Sequence, residues 1–122
     1  MVKLYLLLGS AFCMFSVILG AFAAHGLKRH VSEYAISIFK TAAEYQMSHG
    51  LALIVVAVLI RWGINVSAAG WLFTVGIVLF SGSLYLLALT GLKWLGPITP
   101  IGGVCLIAGW SVLLYKIAKH SF

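Results

Sequence analysis

The sequence predicts an all-α membrane protein: four transmembrane helices in a compact bundle, with one amphipathic interfacial helix between the first and the second. Three observations lead there. Of the 122 residues, 63% are hydrophobic and only 8% charged, against about 25% charged in an ordinary soluble domain, and the mean hydropathy is +1.14. Four apolar stretches, near 4–24, 43–62, 69–90 and 98–118, come close to the roughly 20 residues that cross a hydrocarbon core of about 30 Å. The connections are short apart from the segment after the first stretch, so residues 1–122 read as a single integral membrane domain without a soluble part.

The first span follows Lys3, and "AFA" at 21–23 resembles a signal-peptide cleavage site. Its apolar run exceeds the roughly 7 to 15 residues of a signal h-region, so it reads as a retained helix. Bulky Phe12 disfavours a lipoprotein anchor at Cys13. Cys13 and Cys105 both fall within spans, where they read as small packing residues rather than a disulfide.

The next segment has helical amphipathicity. Val31, Tyr34, Ala35, Ile38, Phe39, Ala42 and Tyr45 recur on one side, with Glu33, Ser37, Lys40 and Glu44 opposite. Ser32 suits the N-cap and Glu33 the positive end of the helix. Over about 31–44 this predicts an interfacial helix along the membrane plane, with Ile38 and Phe39 buried.

Small residues mark where the spans approach one another. Gly9, Cys13, Ser16 and Gly20 share one helical face; Gly76, Ser83 and Thr90 recur every seven residues on the third span; Gly102, Cys105 and Gly109 do likewise on the fourth. These stripes let backbones pack closely, and Gly82 joins Gly9, Gly20, Gly76, Gly102 and Gly109 as an expected packing glycine. Within "FSGSLYLLALTG" at 80–91, the hydroxyls of Ser81, Ser83, Tyr85 and Thr90 then read as helix–helix contacts in preference to a ligand-lined pathway. Pro97 and Pro100 fit a turn and the first turn of the fourth helix, where a missing amide proton costs little.

The formal net charge of +6 does not indicate nucleic acid, because the basic residues are scattered at helix ends rather than gathered in a stripe. Lys3, Arg61, Lys116 and Lys119 fall on one side and Lys28, Arg29, Lys40 and Lys93 on the other. That symmetry leaves the orientation open.

Polar residues gather toward one membrane face. The densely apolar run "LALIVVAVLI" at 51–60 covers only about 15 Å, so the second span must draw in "EYQMSHG" at 44–50. That brings Glu44, Gln46 and His49 toward the end where the first span finishes at His25, the third at Thr90, and the fourth begins near Thr99. His25, Glu44, Gln46, His49, Ser83, Tyr85, Thr90 and Thr99 therefore form a candidate polar cluster at one depth. Glu33 and Glu44 are the only acidic residues. Two histidines and one carboxylate far apart in sequence, with no HExxH, CxxC or phosphate-binding glycine loop, predict no metal, no cofactor and no catalytic group.

The blocks "GAFAAHGLK" at 20–28, "YQMSHGLAL" at 45–53, "FSGSLYLLALTG" at 80–91 and "LGPITPIGG" at 95–103, followed by "AGW" at 108–110, resemble the YgdD-like bacterial inner-membrane family, domain of unknown function 423, related to a eukaryotic transmembrane protein of similar size. Their order and spacing cover nearly the whole chain. The resemblance implies a small multi-pass protein of the bacterial plasma membrane and supplies no reaction.

On function, the leading expectation is a structural or interaction protein that associates with itself or a larger membrane complex through its small-residue faces. The runner-up is a small-molecule or proton-handling membrane protein, followed by a membrane enzyme. An enclosed polar cavity lined by His25, Glu44, His49, Ser83 and Thr99 would favour the runner-up.

Overall fold

The computed structural model describes residues 1–122. Four long helices follow one another: α1 (Val2–His25), α2 (Glu33–Arg61), α3 (Ser67–Thr90) and α4 (Ile98–Lys119). Short 3-10 turns at Leu27–Arg29 and Lys93–Leu95 interrupt the first and third connections. There is no β-strand, and all four helices are long and apolar enough to cross a membrane.

Local chemistry sets the helix ends. Ser32 Oγ accepts from the Ala35 amide at 3.2 Å and caps α2, while Asn65 Oδ1 accepts from the Ser67 amide at 3.3 Å as α3 begins. α3 stops at Gly91, whose φ of +70° is left-handed and whose amide bonds to the Leu87 carbonyl, an ending that favours glycine. Pro97 stands at the N-cap of α4 and Pro100 in its first turn.

The expected interfacial helix is not a separate element. Residues 33–44 form the opening turns of α2, which continues unbroken to Arg61. The reason is local: no glycine or proline stands between Glu33 and Gly50, so propagating the helix costs less than breaking it. The apolar side of these turns also meets protein. Phe39 is fully buried in a cluster with Ala23, Leu27 and Ala88, and its ring meets Tyr85 edge-on at 4.8 Å. Ile38 is partly buried beside that cluster, while Tyr34 remains exposed.

α2 and α3 form the centre, with α1 flanking α2 and α4 flanking α3. Neighbours are antiparallel. The register is plain in α1 and α2, where Phe12 stands opposite Gln46 and Ser16 opposite Ala43. A large apolar core, including Tyr5, Leu53, Val56, Phe73, Ile77 and Leu106, fills the half near the chain termini. The smaller Phe39 cluster fills the other half.

Glycines govern the closest approaches. A Cβ on Gly102 would strike the backbone of Leu79 and Phe80; one on Gly76 would come within 2.5 Å of the Leu106 side chain, and one on Gly109 within 2.6 Å of the Phe73 ring. On the opposite flank, a Cβ on Gly9 would lie 2.6 Å from the Gly50 carbonyl. Two glycines outside the expected set do the same work: Gly50 against Cys13, and Gly70 beneath the Tyr5 ring.

Gly20 and Gly82, expected at helix contacts, meet nothing within 4 Å. Gly82 lies between Ser81, which reaches α2, and Ser83, which reaches α4, so the helical turn points it at neither. Gly20 opens onto a cleft between α1 and α2.

Gly102→Leu should therefore destabilise the bundle by about 1–3 kcal/mol or more through overpacking, whereas Gly82→Leu should change stability by no more than about 0.5 kcal/mol. Unfolding midpoints of the two variants in the same micelles measure the difference.

Candidate functional site

A layer of buried polar contacts lies between the two apolar clusters. Ser16 on α1 donates to the Ala43 carbonyl at 2.6 Å, and Ser81 on α3 donates to the Ala42 carbonyl at 2.7 Å. Two hydroxyls thus grip adjacent carbonyls of α2 from opposite sides. Gln46 joins three helices: its amide nitrogen donates to the Phe12 carbonyl at 2.8 Å, and its oxygen accepts from the Tyr85 hydroxyl at 2.7 Å. The Phe12 carbonyl can only accept, which fixes the orientation of the glutamine amide. Ser83 and Thr99 share a 2.6 Å hydrogen bond between α3 and α4.

Toward the chain termini, His49 is buried on α2. Trp110 Nε1 on α4 donates to its Nε2 at 3.0 Å. Indole is only a donor, so Nε2 holds the lone pair and Nδ1 carries the proton, which it donates to the Tyr45 carbonyl at 2.8 Å. Tyr45 stacks on the imidazole at 5.9 Å, with Phe73 and Trp110 against it at 5.6 and 5.8 Å. Both nitrogens are engaged, leaving no free lone pair for a metal or haem. No group of three or more His, Cys, Asp or Glu side chains is arranged to hold a metal ion.

The expected polar cluster is thereby divided. Gln46 with Tyr85, and Ser83 with Thr99, lie within the buried layer. Thr90 bonds the Leu86 carbonyl of its own helix at 2.6 Å and accepts from the Leu92 amide, so it finishes α3. His25 is exposed at the end of α1, and Glu44 is exposed on the outside of α2. Counting from the Ser16–Ala43 contact, His25 and His49 stand about 20 Å apart along the bundle at about 1.5 Å per residue. They share no site. The cause is the unbroken α2, whose register against α1 carries His49 toward the middle of the bundle.

Three contributors escaped the sequence reading. Ser16 appeared only as a small residue, Trp110 only within a block of resemblance, and Tyr5 not at all, although its hydroxyl donates to the Ser67 carbonyl at 2.8 Å. Tyrosine and tryptophan inside an apolar span are themselves a signal, because each brings a polar hydrogen that needs an acceptor. Every buried side-chain nitrogen and oxygen in the chain has a hydrogen-bond partner.

Comparisons with known proteins find relatives named as membrane proteins. Residues 19–103 match the family model described as protein of unknown function DUF423. A UPF0382 membrane protein of Staphylococcus aureus is 50% identical over 120 residues, covering 98% of each chain. That of Staphylococcus haemolyticus is 50% identical over 118 residues, covering 96% of this chain and 97% of its own. That of Staphylococcus saprophyticus is 46% identical over 118 residues, covering 96% and 98%. No solved structure matches the chain.

Two measurements probe these contacts. Gln46→Leu and Tyr85→Phe should each cost about 0.6–2 kcal/mol, and the double variant should cost less than their sum, because removing either partner already breaks the shared bond; unfolding in micelles gives the cycle. For His49, imidazole nitrogen shifts by NMR in a bilayer mimic should report the Nδ1–H tautomer in the wild type, and Trp110→Phe should mix the two tautomers.

Proposed function

Since this chain belongs to the family described as protein of unknown function DUF423, we propose that it is a structural or interaction protein of the bacterial plasma membrane, associating with itself or with a larger membrane complex. One observation carries the reading: the chain already satisfies every polar side-chain atom that it buries. Ser16, Gln46, Ser81, Ser83, Tyr85 and Thr99 are engaged between helices, so their hydrogen-bonding capacity serves the bundle rather than a substrate.

The separation of His25, Glu44 and His49 also weighs toward this reading, since a proton relay or polar ligand cavity needs its groups within hydrogen-bond reach of one another. The outer surface is correspondingly apolar, with Leu7, Val17, Ile107 and Leu114 among its exposed residues. This is a surface for lipid and for other membrane helices.

Extraction of the tagged full-length chain with its surrounding lipid, followed by native mass spectrometry, tests the proposal. The expected result is an oligomer or a stoichiometric complex with another membrane protein. A monomer carrying a stoichiometric small molecule would overturn it in favour of the ligand-handling alternative.

A further inference from the structure

α2 is a central helix, yet one stripe of it is open. Lys40, Glu44, Ser48, Leu51, Val55 and Val58 recur every three or four residues, and all are exposed. Beside the stripe, Gly20 of α1 has no atom within 4 Å of where a Cβ would stand. A cleft of about 390 Å³ opens there, with Glu44, Met47 and Leu51 in its wall.

The depth of Glu44 makes the stripe unusual. Its neighbours Ala43 and Gln46 bond to Ser16 and to the carbonyl of Phe12, which sets Glu44 level with the middle of α1, a helix running from Val2 to His25. A carboxylate exposed there faces hydrocarbon, where ionisable groups are costly unless paired. The basic residue on the same stripe is Lys40, one turn away, a rise of about 6 Å. Within a single helix, lysine preceding glutamate by four residues is the weaker order for a pair.

We propose that this stripe of α2 is the interface of a symmetric dimer, and that its occupant is a second copy of the same chain. The inference rests on the interaction reading above and specifies its partner. A two-fold axis parallel to the membrane normal sets the same face of both copies together at equal depth. At equal depth Lys40 of one copy stands one turn from Glu44 of the other, a rise of about 6 Å that its four-carbon stem spans, and the reciprocal pair forms by symmetry. Ser48, Leu51, Val55 and Val58 continue the seam at a spacing suited to helix pairing, and the absent side chain at Gly20 makes room on the α1 side. The charge complementarity is internal to the chain, which favours a second copy over a different protein.

Charge exchange tests this with the full-length protein in lipid nanodiscs. The wild type should be dimeric. Glu44→Lys and Lys40→Glu, each alone, should weaken the dimer at least about tenfold, because each sets like charges against one another across the seam. Glu44→Gln, which keeps the shape and removes the charge, should weaken it by a smaller factor. When Glu44→Lys and Lys40→Glu chains carrying different tags are co-expressed, they should recover one another, since the charges are then opposite between copies and alike within each. That result separates a pair across the interface from one within a helix, and shows that both variants fold. Retention of wild-type dimerisation by both single variants, or failure of the mixed pair to associate, would overturn this interface while leaving the interaction reading standing. A wild type that is monomeric and binds no other protein would overturn both.

Discussion

The two hydrogen bonds that tie Gln46 to its neighbouring helices are the contacts on which the rest of the bundle depends. In hydrocarbon a buried amide has no water to turn to, so each of its polar atoms must find a protein partner. Gln46 finds one on α1 and another on α3. Both bonds require a single register of three helices, because a slip of one residue rotates a helix by about 100° and carries the side chain away from both. Ser16 and Ser81 hold the same register at the next turn, on the carbonyls of Ala43 and Ala42. Each such bond is worth only about 0.6–2 kcal/mol, yet an alternative packing would leave several polar groups unsatisfied together.

Close backbone approach is the condition under which these short side chains can meet. Gly102 brings α4 directly against the α3 backbone at Leu79 and Phe80, while Gly76 receives the Leu106 side chain, and on that seam the Ser83 and Thr99 hydroxyls come within 2.6 Å. Gly109 admits the Phe73 ring, which packs edge-on against Trp110 at 5.0 Å and beside His49. The indole thereby reaches across the bundle to the imidazole. Polar specificity and apolar packing are consequently one arrangement, since a side chain at Gly102 would push apart the backbones that bring the hydroxyls together, and one at Gly109 would displace the Phe73 ring.

The unbroken α2 has consequences at both ends of the molecule. Its opening turns use their apolar side to bury Phe39 against α1 and α3, so amphipathicity that matched a membrane surface serves an internal core. Its continuation carries His49 away from His25 and toward Trp110. The same geometry leaves Glu44 on the outside of the most central pair of helices. Buried polarity is settled within the chain, and the exposed polarity of α2, at Lys40, Glu44 and Ser48, faces outward.

The sequence by itself determined the class of fold. Hydropathy and span length are sums over neighbouring residues, and so they mark four membrane helices without knowledge of which helix touches which. Serine at the start of α2 and the two prolines opening α4 were legible for the same reason: the ends of a helix are local chemistry. Gly9, Gly76, Gly102 and Gly109 were legible as packing positions, because small residues at helical spacing mark a face. The tertiary structure alone decided that Gly20 and Gly82 face open space, that Gly50 and Gly70 do not, and that Trp110 rather than His25 or Glu44 is the partner of His49. Those facts depend on the relative rotation and depth of helices distant in sequence, quantities that no window along one chain contains and that the buried hydrogen bonds and glycine contacts set together.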